Sequence, residues 1–155
     1  MNIDDYVIDH SEFDWPSLLE KWQWLLPPKS MVWLLTRAGD LLLELPGGSI
    51  HFLDVGAGKL RQVAATREEA ATRIQNSEIA KDWLMIPVVD QLAASGCLLP
   101  RGKCYSYKML PVLGGSYAPD GRLVLPIHEH FGAWGEFHRK LLDVPIGSQV
   151  RVVVE

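Results

Sequence analysis

The chain has 155 residues, of which 48% are hydrophobic and 22% charged, and its formal net charge is −4. These values are typical of one globular domain with its own core, and they exclude a low-complexity chain or a strongly basic nucleic-acid-binding protein. The start, MNIDDYVIDH, lacks the basic residues of a secretory signal, and no apolar run reaches the roughly 18 residues that a membrane span needs. Cys97 and Cys104 are not in CxxC spacing, which favours unpaired thiols and a cytoplasmic location.

Negative charge is concentrated at the N-terminus. Residues 1–20 contain six acids and no lysine or arginine, so they carry −6 and the rest of the chain +2. The six acids are Asp4, Asp5, Asp9, Glu12, Asp14 and Glu20. Such a segment repels nucleic acid and suits a basic partner protein, and the alternative is a solvated, partly disordered end. We therefore divide the chain into an acidic segment, residues 1–12, and a single domain, residues 13–155.

The first predicted element is a helix that begins after Asp14 and ends before Pro27-Pro28. Its apolar positions recur at helical spacing on one face: Trp15, Leu18, Leu19, Trp22, Leu25 and Leu26. In such a helix Trp24 lies on the opposite, polar face. A tryptophan placed there is either covered by another element or available to a partner, and the sequence leaves both alternatives open.

A strand-rich block follows at residues 31–63. Four short apolar runs, MVWLLTR, LLLEL, IHFLDV and KLRQV, are separated by the turns AGD, PGGS and GAG. Short apolar runs with glycine-containing turns between them predict an antiparallel meander.

The remaining elements are helices and a second group of strands. Thr66 and Glu69 form a capping-box pattern that opens a helix, and a further helix over residues 78–95 is expected to kink near Pro87 and to end at Gly96. The runs KCYSYKML and RLVLPI predict strands joined by a tight turn in which Gly114 and Gly115 take positive φ. A helix over residues 129–142 and a last strand, QVRVVVE, complete the chain. Strands cluster rather than alternating with helices, which predicts an α+β fold: an antiparallel sheet with helices packed on it.

The stretch HEHFGAWGEFH, residues 128–138, contains three of the five histidines. On a helix, His130 and His138 fall within or beside the apolar sector, and their separation of eight residues places them roughly 12 Å apart along the axis. Zinc bonds of about 2 Å do not bridge that gap, and the HExxH spacing is absent. We expect His130 to bond to backbone near the helix start and His138 to pack at a core edge, with no metal or cofactor.

Two chemical alternatives stay open. His128 and His130 share a face if the chain is extended there, which would allow them to chelate a metal. A hydrolase using His128, His130 or Cys104 is the main alternative to a binding protein.

The C-terminal third resembles a known bacterial family. The features that carry the resemblance are Gly102 before the Tyr105/Tyr107 strand, then Leu113-Gly114-Gly115 and Tyr117, then Glu129-His130 opening a helix, and Pro145-x-Gly147 after it. This pattern is similar to a domain of unknown function associated with the C-terminal domain of type VI secretion DNase-immunity proteins of the Tdi type. The upstream meander and residues 83–96 also look similar. More loosely, the layout resembles the wider superfamily of immunity proteins against polymorphic toxins.

The resemblance implies a small α+β domain with a binding role and without established catalytic residues. We therefore expect a non-enzymatic cytoplasmic immunity protein that neutralises a bacterial toxin, a DNase by the resemblance, in a stoichiometric complex. The other alternative is a housekeeping adaptor. Because an inhibitor of a nuclease must cover a basic surface, we predict that Asp4, Asp5, Asp9 and Trp24 contact the partner. The sequence does not give the oligomeric state or the identity of the toxin.

Overall fold

A computed structural model describes residues 2–144 of the chain. The helices are α1 (Trp15–Leu18), α2 (Arg67–Arg73), α3 (Ser77–Leu84), α4 (Ile86–Ala94) and α5 (Ile127–Leu141). The strands are β1 (Val7–Ile8), β2 (Met31–Thr36), β3 (Leu41–Glu44), β4 (Ile50–Asp54), β5 (Lys59–Ala64), β6 (Lys103–Tyr107) and β7 (Arg122–Pro126). This arrangement confirms the predicted α+β class.

The five strands β1 to β5 form one antiparallel sheet in chain order, which confirms the predicted meander. The middle strand, β3, is LLLE, and its three leucines are fully buried. Successive side chains on a strand point to opposite faces. Accordingly, Leu41 and Leu43 pack with Trp22 and α5 on one face, and Leu42 packs with α2 and α3 on the other. The sheet is therefore covered on both faces, which explains the unbroken apolar run.

The acidic segment contributes to this sheet. Val7 and Ile8 pair with Thr36 and Leu35 of β2, and a 3-10 turn at Ile3–Asp5 precedes them. The N-terminal acids are therefore attached to a strand at one edge of the sheet.

The first helix is much shorter than predicted. Leu19 leaves the helical region at φ −96° and ψ 7°, and a 3-10 turn at Glu20–Trp22 follows α1. The chain changes direction there because Trp22, which is fully buried, reaches α5 and donates through Nε1 to the Phe131 carbonyl, 2.8 Å away. The predicted polar-face position of Trp24 depended on a continuous helix, so that placement is wrong.

The helix predicted over residues 78–95 is two helices. Met85 takes the left-handed conformation at φ +49°, which ends α3, and α4 begins with Pro87 in its first turn. A proline in the first turn of a helix costs no helical hydrogen bond. The predicted kink near Pro87 is therefore a boundary between two separate helices, α3 and α4. Thr66 caps α2 as predicted, since its Oγ1 accepts from the Glu69 N–H at 3.1 Å. The Glu69 carboxylate accepts from the Ala65 N–H at 3.1 Å rather than from the Thr66 N–H that a complete capping box uses.

Strands β6 and β7 form a second, two-stranded antiparallel sheet. Their connection is longer than the predicted tight turn, because 3-10 turns at Pro111–Leu113 and Pro119–Gly121 lie within it. Only Gly114 of the glycine pair has positive φ, +94°. Gly115 is needed for space instead, since a Cβ there would lie 2.0 Å from the Met109 carbonyl oxygen. The predicted positive φ at Gly115 is therefore wrong.

Three remaining predictions concern the C-terminal end of the chain, the start of the last helix and the absence of a membrane span. The predicted strand QVRVVVE and Gly147 lie outside the described residues. Helix α5 begins at Ile127, two residues before the predicted start. No helix within residues 2–144 is long and apolar enough to cross a membrane.

Two glycines of α5 provide a matched test of this packing. A Cβ on Gly132 meets nothing within 4 Å, whereas a Cβ on Gly135 would lie 2.7 Å from Trp22 Nε1. Gly132→Ala should stabilise the protein by about 0.5–1 kcal/mol through helix propensity. Gly135→Ala should destabilise it by about 1–3 kcal/mol, because the extra methyl group displaces the indole. Urea unfolding of both variants measures the difference, and equal effects would contradict the described packing of Trp22.

Candidate partner-binding surface

His130 joins α5 to the turn between β2 and β3. Its Nε2 lies 2.7 Å from the Gly39 carbonyl oxygen, and its Nδ1 lies 2.6 Å from Ser106 Oγ. Because a carbonyl only accepts, Nε2 carries the proton and Nδ1 accepts from the Ser106 hydroxyl. Ser106 Oγ in turn accepts from Trp134 Nε1 at 2.9 Å. The ring is fully buried with both nitrogens hydrogen-bonded, and its backbone partner lies in the β2–β3 turn rather than at the predicted helix start.

His138 makes the corresponding contact with the turn between β4 and β5. Its Nε2 donates to the Val55 carbonyl at 2.7 Å, and only 5% of the residue is exposed. Both turns accommodate the rings through glycine. A Cβ on Gly39 would lie 2.5 Å from His130 Nε2, and a Cβ on Gly58 would lie 2.5 Å from His138 Nδ1.

A buried polar cluster links the same two turns. Asp40, 2% exposed, accepts from the Val55 N–H at 3.0 Å, which connects the β2–β3 turn to the β4–β5 turn. Arg122 donates to the carbonyls of Ala38 and Tyr105 and lies over the Tyr107 ring, 4.1 Å from its centroid. The arrangement holds both turns and β6 in one fixed geometry.

The tyrosines singled out in the sequence have different surroundings. Tyr105 donates its hydroxyl to the Cys97 carbonyl at 2.7 Å. Tyr107 and Tyr117 pack edge to face, and a Cβ on Gly56 would contact both of their rings. Glu129, in contrast, is exposed on the first turn of α5. Tyr105, Tyr107 and Tyr117 thus lie in packed contacts, whereas Glu129 faces solvent.

These groups do not form a poised catalytic set. Cys104 is fully buried, and burial raises the pKa of its thiol far above the ordinary value, which disfavours the nucleophilic thiolate. Burial lowers the pKa of His130, and both of its ring nitrogens are already hydrogen-bonded. Within residues 2–144, no group of three or more His, Cys, Asp or Glu side chains is placed to hold a metal ion. The geometry is that of a structural polar core.

The surface features that remain are at the N-terminus. All six acids of residues 1–20 are exposed, and within residues 2–144 only Glu12 among them forms a salt bridge, with Arg101. Asp9 is held by Ser11, whose hydroxyl and N–H both donate to its carboxylate and lower its pKa. Asp4 and Asp5 lie on the 3-10 turn before β1. The predicted acids therefore present their charge to solvent at one edge of the sheet.

Trp24 is half-buried, because α5 and Trp22 cover part of it. Its indole stacks on Trp22 with ring centroids 5.8 Å apart, and Nε1 lies 2.8 Å from the Lys21 carbonyl and 3.2 Å from the Gly135 carbonyl. The rest of the ring borders a cleft with Glu136 and Arg139 of α5. The structure thus places Trp24 partly against α5 and partly on the surface.

Sequence reasoning missed Asp40, Arg122 and Ser106. Asp40 stands in the turn AGD, where an aspartate ordinarily faces solvent, and no local pattern signals its burial. Gly39 and Gly58 could have indicated close packing at these turns, because a glycine in a turn allows either a positive φ or close contact with another element. Their facing histidines are 91 and 80 residues away in the chain, so sequence spacing alone does not pair them.

A protein-family model matches part of this chain. Residues 64–138 match the family model described as T6SS immunity protein Tdi1, C-terminal. The predicted resemblance is confirmed for this segment, which runs from the end of β5 into α5 and is slightly under half of the chain. The match supports an immunity role. The upstream meander lies outside the matched residues, and no curated protein or solved structure matched the chain.

The polar cluster predicts a distinctive pH dependence of stability. Burial raises the pKa of Asp40 from 3.8 to about 7, and the Asp54 charge adds to the shift. Between those values the folded protein holds a proton that the unfolded chain has released, so this contribution to stability is lost as pH rises towards 7. Burial lowers the pKa of His130 from 6.5 to about 4, so its contribution is lost as pH falls through that window. The two slopes oppose each other.

Asp40→Asn should remove only the first slope while keeping an oxygen to accept from Val55. The unfolding free energy of the variant relative to the original protein should therefore increase between pH 4 and 7, by up to about 1.4 kcal/mol per pH unit, and level off above pH 7. Urea unfolding at half-unit pH steps measures this difference. A difference that stays constant across the range would show that Asp40 is ionised normally in the folded state.

The histidine geometry also predicts the metal content of the protein. Because the ring nitrogens of His130 and Nε2 of His138 are committed to protein groups, purified protein should contain no stoichiometric zinc, iron or manganese. Elemental analysis after extensive dialysis measures this. One metal ion per chain that disappears in His128→Ala or His130→Ala would contradict the described bonding.

Proposed function

We propose that this protein is a non-enzymatic immunity protein that neutralises a cognate bacterial toxin in a direct, stoichiometric complex in the cytoplasm. The observation that carries the proposal is the match of residues 64–138 to the C-terminal region of a type VI secretion immunity protein. Two buried histidines support it, because His130 uses both ring nitrogens and His138 uses Nε2 in structural hydrogen bonds, whereas a hydrolase would need such a residue as a free base.

We further propose that the toxin is a nuclease of the DNase class. Nucleases bind a polyanion and therefore present basic surfaces, and an inhibitor covers such a surface best with exposed acids. The exposed acids of the N-terminal segment fit this role. Their fixed placement beside β1 also supports it, because a preordered surface loses less entropy on binding.

The proposed contact surface includes Asp4, Asp5, Asp9 and Trp24. The acids attract the basic partner over a distance, so they act mainly on the rate of association. Trp24 offers an aromatic surface held by stacking on Trp22, which is a rigid anchor for a contact.

The test uses a catalytically inactivated nuclease domain from a toxin gene that neighbours the gene of this protein, where the genome carries one. Neutralising Asp4, Asp5 and Asp9 to asparagine should slow association at low salt and flatten its salt dependence. The matched control neutralises three exposed acids elsewhere: Glu68→Gln, Asp120→Asn and Asp143→Asn. Stopped-flow measurement at several ionic strengths compares the two triple variants. Equal slowing in both would indicate an effect of net charge rather than of this surface.

Trp24→Ala tests the anchor, with an expected loss of about 2 kcal/mol in binding free energy. Because the substitution also removes the stacking on Trp22, thermal unfolding must confirm that the variant is folded at the assay temperature. A lowered melting temperature with unchanged affinity would assign Trp24 to packing alone. Absence of any complex between the unmodified protein and the toxin would contradict the proposed function.

A further inference from the structure

The acidic segment has an apolar inner side. Ile3, Tyr6 and Val7 pack with the buried cluster that α2 and α3 form on one face of the main sheet. Ile8 packs with the Trp22 cluster on the other face. The two aspartates between Ile3 and Tyr6 are exposed. The apolar residues therefore place the segment on the domain, and the charges face outward.

Tyr6 joins this segment to α4. Its hydroxyl donates to Asp90 Oδ1 at 2.7 Å, although the two residues are 84 positions apart in the chain. Its backbone N–H donates to the Ile3 carbonyl at 2.9 Å, which closes the 3-10 turn. Its own carbonyl accepts from the Arg37 N–H at 2.9 Å. Tyr6 therefore connects the turn to both the main sheet and α4.

Arg37, the residue after β2, holds the same segment from the side of the sheet. Its Nε lies 3.4 Å from the Val7 carbonyl oxygen, and its Nη2 lies 3.4 Å from the Asp4 carbonyl oxygen. Because these contacts go to the backbone, the carboxylates of Asp4 and Asp5 form no salt bridge within residues 2–144. Arg37 is itself fixed, since its carbonyl accepts from the Tyr105 N–H at 2.8 Å.

The remaining contacts of the segment are few. Strand β1 has two residues, and only Val7 and Ile8 pair with β2. The salt bridge between Glu12 and Arg101 is largely exposed, so it adds little. A strand pair this short is marginal by itself. The side-chain contacts of Tyr6 and Arg37 therefore control how often the segment leaves the domain by local opening.

We propose that Tyr6 and Arg37 are positioning residues for partner binding. They keep the acidic segment in one arrangement, so that Asp4, Asp5 and Asp9 reach the toxin as a preordered group. The inference rests on the proposed function and adds residues that act through the acids. When these contacts are lost, binding must order the segment again, and only the attached fraction of the protein is ready to bind.

Hydrogen exchange of the free protein tests the attachment. The amide at position 37 donates to the Tyr6 carbonyl, so it exchanges when the segment leaves the domain. Tyr6→Phe removes only the hydroxyl, and exchange at this amide should become about five-fold faster, the effect of one hydrogen bond. The matched control is Asp90→Asn, whose side-chain oxygen still accepts from Tyr6, so exchange should stay within about two-fold.

Binding to the inactivated nuclease domain tests the role in recognition. Tyr6→Asp removes the ring and the hydroxyl and places a new carboxylate near Asp90, so the segment should leave the domain. The variant is also one charge more negative. Charge alone would therefore strengthen binding to a basic surface, whereas loss of positioning should weaken binding by about ten-fold or more. Surface plasmon resonance with the nuclease domain immobilised measures the affinity.

Tyr6→Phe combined with Arg37→Gln is a milder second variant. It keeps the aromatic ring and removes three side-chain hydrogen bonds, and it should also weaken binding. Its matched control is Lys103→Gln, which removes the same charge from the cleft beside β1 that Arg37 also lines. Lys103→Gln should bind within about two-fold of the original protein or more tightly, because charge alone then acts. Circular dichroism and thermal unfolding confirm that each variant is folded, and the double variant decides if Tyr6→Asp is not.

The outcomes separate this inference from the proposed function. If the unmodified protein binds but the folded Tyr6 and Arg37 variants bind as tightly or more tightly, the positioning inference is overturned and the proposed function stands. Equal weakening by Lys103→Gln and the double variant would assign the effect to charge and overturn the inference. Equal exchange at position 37 in Tyr6→Phe and the original protein would overturn it without any partner present. If the unmodified protein forms no complex, the proposed function and the inference both fail.

Discussion

The hydrogen bonds that His130 and His138 donate to the Gly39 and Val55 carbonyls hold α5 across one end of the main sheet. The two carbonyls belong to turns at the same end of the meander. Two strand spacings separate these turns by roughly 10 Å, and eight residues of helix rise roughly 12 Å. Neither turn could accept the imidazole ring if it carried a side chain at Gly39 or Gly58. Removing either histidine would leave a buried carbonyl without its partner, which costs about 1–3 kcal/mol.

The rest of the structure is arranged around these contacts. With α5 fixed, Trp22 packs against Gly135 and draws the chain out of α1. Ser106 and Trp134 complete the hydrogen-bond chain from His130, so β6 is fixed to the helix that crosses it. The result is a hydrogen-bonded interior with an acidic surface on its N-terminal edge. This division suits a protein that acts by binding, since the interior supplies shape and the surface supplies recognition.

Local patterns in the sequence predicted the meander, the capped helix at Thr66 and the amphipathic helix of the three histidines, because each depends on neighbours within a few residues. The same patterns failed for the first helix. Its apolar spacing is helical, but Trp22 gains more by reaching Phe131 over 109 residues of chain than by continuing the helix. Local sequence patterns also could not predict the burial of Asp40 and Arg122, because their hydrogen-bond partners belong to other elements. For the surface, the sequence composition was enough to predict the concentration of negative charge at the N-terminus.

The family match begins at Ala64, the last residue of β5, and ends at His138. Each histidine contact therefore joins a residue inside that segment to a carbonyl outside it. The boundary of the sequence match is not a boundary of the folded unit, since it separates donor from acceptor in both cases. A chimaera made by exchanging everything before residue 64 for a different meander would inherit the histidines without their acceptors, unless the incoming meander also offered two glycine turns at the same spacing. Recombination at that point is therefore constrained by two turns that the matched segment does not contain.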